Sequence, residues 1–136
     1  MTKEFVSYEQ ALSLKELGFD EPCLVFINYN RQTVRYINPD KDWNSLYNQT
    51  LKNSEITMPD TCTRPTFSQA FRWFREKYGW IAEIHGSLHM NNFYANLLFK
   101  SKGEFRIVAN IKMCDTYEEA ENVCLDKLIE QVRELS

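Results

Sequence analysis

Three helix starts spelled almost alike constrain this chain more than any other feature. They are Ser7-Tyr8-Glu9-Gln10-Ala11, Thr66-Phe67-Ser68-Gln69-Ala70 and Thr116-Tyr117-Glu118-Glu119-Ala120. Each places a hydroxyl residue three positions before Gln or Glu, the spacing of a capping box. The hydroxyl accepts from an orphan backbone N–H of the first turn, and the Gln or Glu reaches back to the N–H of the cap. Each box also carries an aromatic at the first helical position. The similarity stops after one turn, so these are convergent helix starts and not an internal repeat.

The boxes predict helices over Tyr8–Leu17, Phe67–Tyr78 and Tyr117–Leu135. Gly18 and Gly79 stand where a left-handed residue ends the first two. Phe67, Ala70, Phe71, Phe74 and Tyr78 follow helical spacing and define the face to be buried on the second. On the third the apolar stripe is Tyr117, Ala120, Cys124, Leu128, Val132 and Leu135. Its first-turn acids suit the helix dipole.

Between the boxes the periodicity changes. Residues Cys23–Tyr29 read as a buried strand and Thr33–Ile37 as its partner, across a turn at Asn30-Arg31-Gln32. After the second helix come Trp80–His85 and two alternating runs. Phe93, Ala95, Leu97 and Phe99 form one row; Phe105, Ile107, Ala109 and Ile111 form the other. Ser101-Lys102-Gly103 joins them, with Gly103 suited to positive φ. Alternation predicts that both rows share one face, leaving Tyr94, Asn96, Leu98, Arg106, Val108 and Asn110 on the other.

Residues Asn38–Pro65 are irregular and broken by three prolines, with a short helix expected over Trp43–Leu51 capped by Asp42. The expected order is α-β-β-(loop)-α-β-β-β-α. We read it as one globular α+β domain over 1–136: an antiparallel sheet of about five strands with three helices on one face.

Composition narrows the function classes. The chain has 136 residues and a formal charge of −3. There is no overall basic excess of the kind a general nucleic-acid binder shows. No stretch approaches the roughly 18 apolar residues of a membrane helix, and the N-terminus lacks the apolar run of a signal peptide. An intracellular, cytoplasmic protein with no membrane partner is expected. Cys23, Cys62, Cys114 and Cys124 form no CxxC pair and read as thiols in a reducing compartment.

Chemistry-bearing constellations are sparse. His85 and His89 are spaced for zinc only on a helix, and Gly86-Ser87 between them marks a strand end. Cys62, between two threonines of the irregular segment, is the expected exposed thiol. Glu83 and His85 share a strand face and suit either an acid/base pair or a surface polar pair. No Gly-rich phosphate loop is present. No catalytic residues, metal or cofactor are therefore expected.

Binding surfaces are better represented. The second helix carries Arg72, Trp73, Arg75 and Lys77. Trp73 either packs beneath residues 38–65, anchors a protein interface or stacks on a base. Tyr94, Leu98 and Arg106 on the outer sheet face form a second candidate surface. The leading expectation is a small protein-binding adaptor. A homodimer is also entertained, and the alternative is a nucleic-acid-binding accessory protein using the basic-aromatic strip.

Several segments resemble a family of small uncharacterised proteins from Bacteroidetes and their phages. They are Phe5–Leu12, Lys15–Cys23, Pro65–Tyr78 and Thr116–Glu121, with Cys124-Leu125 and Lys127-Leu128-Ile129 downstream. The resemblance covers about a third of the chain. It implies a phage or mobile-element origin and a host or phage protein as partner, and it carries no activity over. The order from Thr66 to Ser136 also resembles a double-stranded-RNA-binding domain in topology. There the last helix begins with basic residues that grip phosphate, whereas Glu118, Glu119 and Glu121 stand here and would repel it.

Overall fold

A computed structural model describes residues 4–36, 49–87 and 91–135. The short helix expected over Trp43–Leu51 falls mostly outside these residues, as does His89. The chain divides into two compact units, Met1–Thr66 and Phe67–Ser136.

The first unit opens with α1, Tyr8–Glu16, and here the capping box forms in full. Ser7 Oγ accepts from the Gln10 N–H at 3.1 Å, and the Ser7 N–H donates to Gln10 Oε1 at 2.8 Å. Gly18 ends the helix at φ 96°. The Phe19 N–H then donates to the Leu14 carbonyl, turning the chain back over the last helical turn.

Three short strands follow: β1 (Val25–Ile27), β2 (Thr33–Arg35) and β3 (Cys62–Thr63). They form an antiparallel sheet of order β2-β1-β3. The turn before β2 is held by Asn28, whose Oδ1 accepts from the N–H groups of both Asn30 and Gln32. The ends of the unit are stitched together. The Val6 N–H donates to the Pro65 carbonyl, and Arg64 Nε donates to the Val6 carbonyl. Val6, Ala11, Leu14, Phe19, Ile27 and Cys62 are buried.

The second unit holds α2 (Phe67–Tyr78), β4 (Trp80–Gly86), β5 (Phe93–Ser101), β6 (Glu104–Cys114) and α3 (Tyr117–Leu135). The strands form a second antiparallel sheet, order β4-β5-β6. Both helices pack on this unit: α3 against all three strands, and α2 against β4 and α3. Lys102 and Gly103, both at positive φ (53° and 80°), make the tight β5–β6 turn that the sequence predicts.

Three expectations need correction. The α+β class and the antiparallel pairing hold, but the strands form two sheets of three and not one of five. The β1–β2 hairpin takes its third partner from Cys62–Thr63, inside the segment read as irregular. A two-residue strand has no periodicity to read. Accordingly α1 belongs to the first unit, and α2 and α3 pack on the strands of the second.

The buried stripe of α3 is Ala120, Cys124, Leu125, Leu128, Ile129 and Val132. Tyr117 and Leu135 are exposed. A helix lying across three strands buries a stripe wider than a single seam, which brings in Leu125 and Ile129. On α2 Trp73 is buried, whereas Phe71 and Tyr78 are half-buried.

The third correction concerns β6. Leu97 opposes Ala109, but its neighbour Leu98 opposes Ile107. Val108 is an extra residue, a bulge that moves everything before it to the opposite face. Phe105 and Ile107 therefore leave the helix-covered row and oppose Lys100 and Leu98. Arg106 moves the other way, opposing Phe99.

Candidate functional site

The helix-covered face of the second sheet is filled. Trp80, Ala82 and Ile84 of β4 oppose Phe99, Leu97 and Ala95 of β5, and Ala109 and Ile111 of β6 continue the rows. Ala95 and Leu97 are fully buried. The opposite face carries the alternate residues, and it is the surface with chemistry to offer.

Cross-strand register arranges that face in bands. Ile81, Leu98 and Ile107 line up as an apolar row. Glu83, Asn96 and Asn110 form a polar row beside it. Beyond that, His85 opposes Tyr94, and their rings stack at 5.1 Å with 23° between planes. Glu83 Oε2 lies 3.7 Å from His85 Nε2, an exposed pair that places a carboxylate beside the imidazole. At the other end Lys100 sets its ammonium 5.7 Å from the Phe105 ring centre. Phe105 is 54% exposed, Ile107 60%, Val108 46% and Tyr94 39%. Isolated exposed apolar residues are ordinary, but neighbouring ones mark interaction surfaces.

The sequence-predicted residues fall in three places. Tyr94 and Leu98 are on this face as expected. Arg106 is exposed but lies on the Phe99 row, not beside them. Arg72, Trp73, Arg75 and Lys77 are on α2. Arg72, Arg75 and Lys77 are exposed, while Trp73 is only 6% exposed. Its indole meets Phe74 and Tyr78 edge-on, at 5.0 and 5.5 Å, and carries the Lys77 ammonium 5.0 Å above it. The strip therefore presents cations over a packed indole, the placement expected of Trp73 as a packing residue. Phe105 and Ile107 are the surface residues that sequence reasoning missed. Apolar alternation assigns them to the core, and no residue in the run signals the bulge.

The thiol reading also changes. Cys62 is fully buried, and burial pushes its thiol up to about 11 despite the nearby Lys15 ammonium. A nucleophilic cysteine needs the opposite shift. Cys124 is held still higher, near 12, again by burial first. Among the described residues, no three His, Cys, Asp or Glu side chains gather as a metal site.

One depression opens at the end of α1, about 340 Å³ in volume and lined by Lys15, Gly18, Phe19, Asp20, Asn53 and Ser54. Its polar groups hold the fold. Lys15 Nζ donates to the Thr61 carbonyl at 2.7 Å, and Asp20 Oδ1 accepts from the Ser54 N–H at 2.7 Å. Asn53 Nδ2 donates to the Phe19 carbonyl, and its Oδ1 accepts from the Thr63 N–H.

Comparison with protein-family models, with curated proteins and with solved structures found no match. Function must be argued from the surface itself. Among the described residues no helix is long and apolar enough to cross a membrane.

Proposed function

We propose that the chain is a small cytoplasmic binding protein, of phage or mobile-element origin, that takes a host or phage protein on the uncovered face of β4–β6. The observation that carries this reading is the exposed apolar and aromatic group of Tyr94, Phe105, Ile107 and Val108 on β5 and β6. Aromatic residues ringed by polar ones are the composition of a protein interface core and rim. Here Ile81, Leu98 and Ile107 supply an apolar centre, and Glu83, Asn96, Asn110 and Lys100 supply the polar surround.

Two substitutions test it. Tyr94→Ala and Leu98→Asp together remove the centre of the face while leaving the Ala95–Leu97 row intact. The wild-type protein, immobilised in an extract of its native host, is expected to retain a stoichiometric protein that the double variant loses. The variant's thermal midpoint should stay within a few degrees of wild type. Equal retention by both proteins contradicts the reading. Nuclease-sensitive material in place of protein redirects it to the nucleic-acid alternative.

A further inference from the structure

The edge of β6 offers a different surface from the sheet face, and its features fit one occupant. Among the described residues β6 pairs with β5 alone. Glu104 to Val108 are all exposed, and this stretch holds no proline to block pairing. Such an edge is a template for another strand unless something blunts it.

Which backbone groups face outward follows from the turn. Lys102 and Gly103 form a two-residue hairpin loop between Ser101 and Glu104. The residues flanking such a loop exchange hydrogen bonds across the ladder. Glu104 and Arg106 therefore point their N–H and C=O groups at β5, whereas Phe105 and Ile107 point theirs outward. No other backbone partner for these outward groups occurs among the described residues.

The side chains then select the register. Charges ordinarily protect an edge by repelling a second copy. Here Glu104 and Arg106 flank Phe105 on one face of the strand, so a two-fold axis through Phe105 brings unlike charges together. We infer that two copies of this chain pair antiparallel along β6, centred on Phe105, with Glu104 of each copy opposite Arg106 of the other.

The register is specific. Centring on Arg106 would oppose two arginines and turn the wrong backbone groups outward. Centring on Ile107 would run the pairing through the Val108 bulge, where the strand bends. Centred on Phe105, the outward groups of Phe105 bond their own equivalents, and those of Ile107 meet Gly103. Glu104 and Arg106 occupy the non-hydrogen-bonded pairs, where opposed side chains come closest. Phe105 stacks beside its copy on the uncovered face, and Ile107 lies over Gly103, where a Cβ would meet nothing within 4 Å. The interface is isologous and closes on itself, so it stops at two.

Phe105 and Ile107 belong to both surfaces, but the inference does not rest on the partner reading: it is argued from the strand edge and its charges, and partner capture is tested at Tyr94 and Leu98, which are not on this edge. Sedimentation velocity over a concentration series tests it. Wild type is expected to pass from one chain's mass to two as concentration rises. Glu104→Arg alone, or Arg106→Glu alone, opposes like charges twice per dimer and should raise the dissociation constant about tenfold or more. The double exchange E104R/R106E restores both pairs and should restore the dimer. Ile107→Pro removes an outward N–H without touching the β5 ladder and should also abolish pairing, so the test survives if a charge variant fails to fold. A wild type that stays monomeric throughout overturns the inference. So does a dimer indifferent to the single reversals or to Ile107→Pro, or one that the double exchange fails to recover.

Discussion

Asn53 shows how much one polar side chain can carry in a segment that reads as loop. It is 6% exposed, and both ends of its amide are engaged, by the Phe19 carbonyl at 2.9 Å and the Thr63 N–H at 2.8 Å. It thereby ties the exit of α1 to β3 across residues far apart in sequence. Replacing it with alanine strands a buried carbonyl and a buried N–H, each costing about 1–3 kcal/mol. Asn53→Ala should lower the unfolding free energy by about 2–3 kcal/mol in urea titration. A loss under about 0.5 kcal/mol would show that water replaces both bonds. Asp20, nearby, is held below its ordinary value of 3.8 by the Ser54 N–H first and the Ser54 hydroxyl second. A carboxyl depressed in the folded state stabilises above its unfolded value, and that contribution is lost as pH falls through the folded one. Asp20→Asn should therefore flatten the loss of stability below about pH 4, as acid titration of the two proteins side by side would reveal. Glu121 has the opposite sign. Burial first, and the Glu118 carboxylate second, raise it above its ordinary 4.5, so the folded state favours the proton. Stability then falls as pH rises from 4.5 through the raised folded value, and Glu121→Gln should recover a few tenths of a kcal/mol at neutral pH.

At the scale of elements, helices were the most legible part of the sequence. The capping boxes and terminal glycines placed α1, α2 and α3 to within a residue at either end, because those signals are local: the α1 box forms in full, and on α3 Thr116 Oγ1 accepts from the Glu119 N–H. The buried faces were less legible, since tertiary packing sets their width. Leu125 and Ile129 are buried beside Leu128, whereas Leu135 is 70% exposed. Leu128→Ala should cost about 2–5 kcal/mol, and Leu135→Ala less than about 0.5 kcal/mol. Thermal melts of the pair would separate a helix seated along its middle from one seated at its end. The strands were legible as strands and not as a sheet: nothing in Cys62-Thr63 announces a partner for β1. The candidate face was half legible. Alternation placed Tyr94 and Leu98 correctly because β4 and β5 run in unbroken register. It misplaced Phe105, Ile107 and Arg106 because one inserted residue, Val108, reverses the parity of all that precedes it on β6. A valine within a β-branched and aromatic run carries no mark of being extra.

For the molecule as a whole, that one reversal decides which surface is available. Without the bulge, Phe105 and Ile107 would join the row beneath α3, and the uncovered face would carry Arg106 in their place. With it, an apolar band crosses β4, β5 and β6, and the outer edge of β6 carries alternating charge. Both the partner surface and the self-pairing edge depend on this register. Cysteine accessibility measures it directly, because the native thiols are buried and those of Cys62 and Cys124 are held near 11 and 12. The first measurement is maleimide labelling of Ile107→Cys and Ile111→Cys in the native protein. The account predicts rapid labelling at 107 and labelling at 111 only as the protein unfolds. Protection at both positions, as one uninterrupted alternation would give, would contradict it.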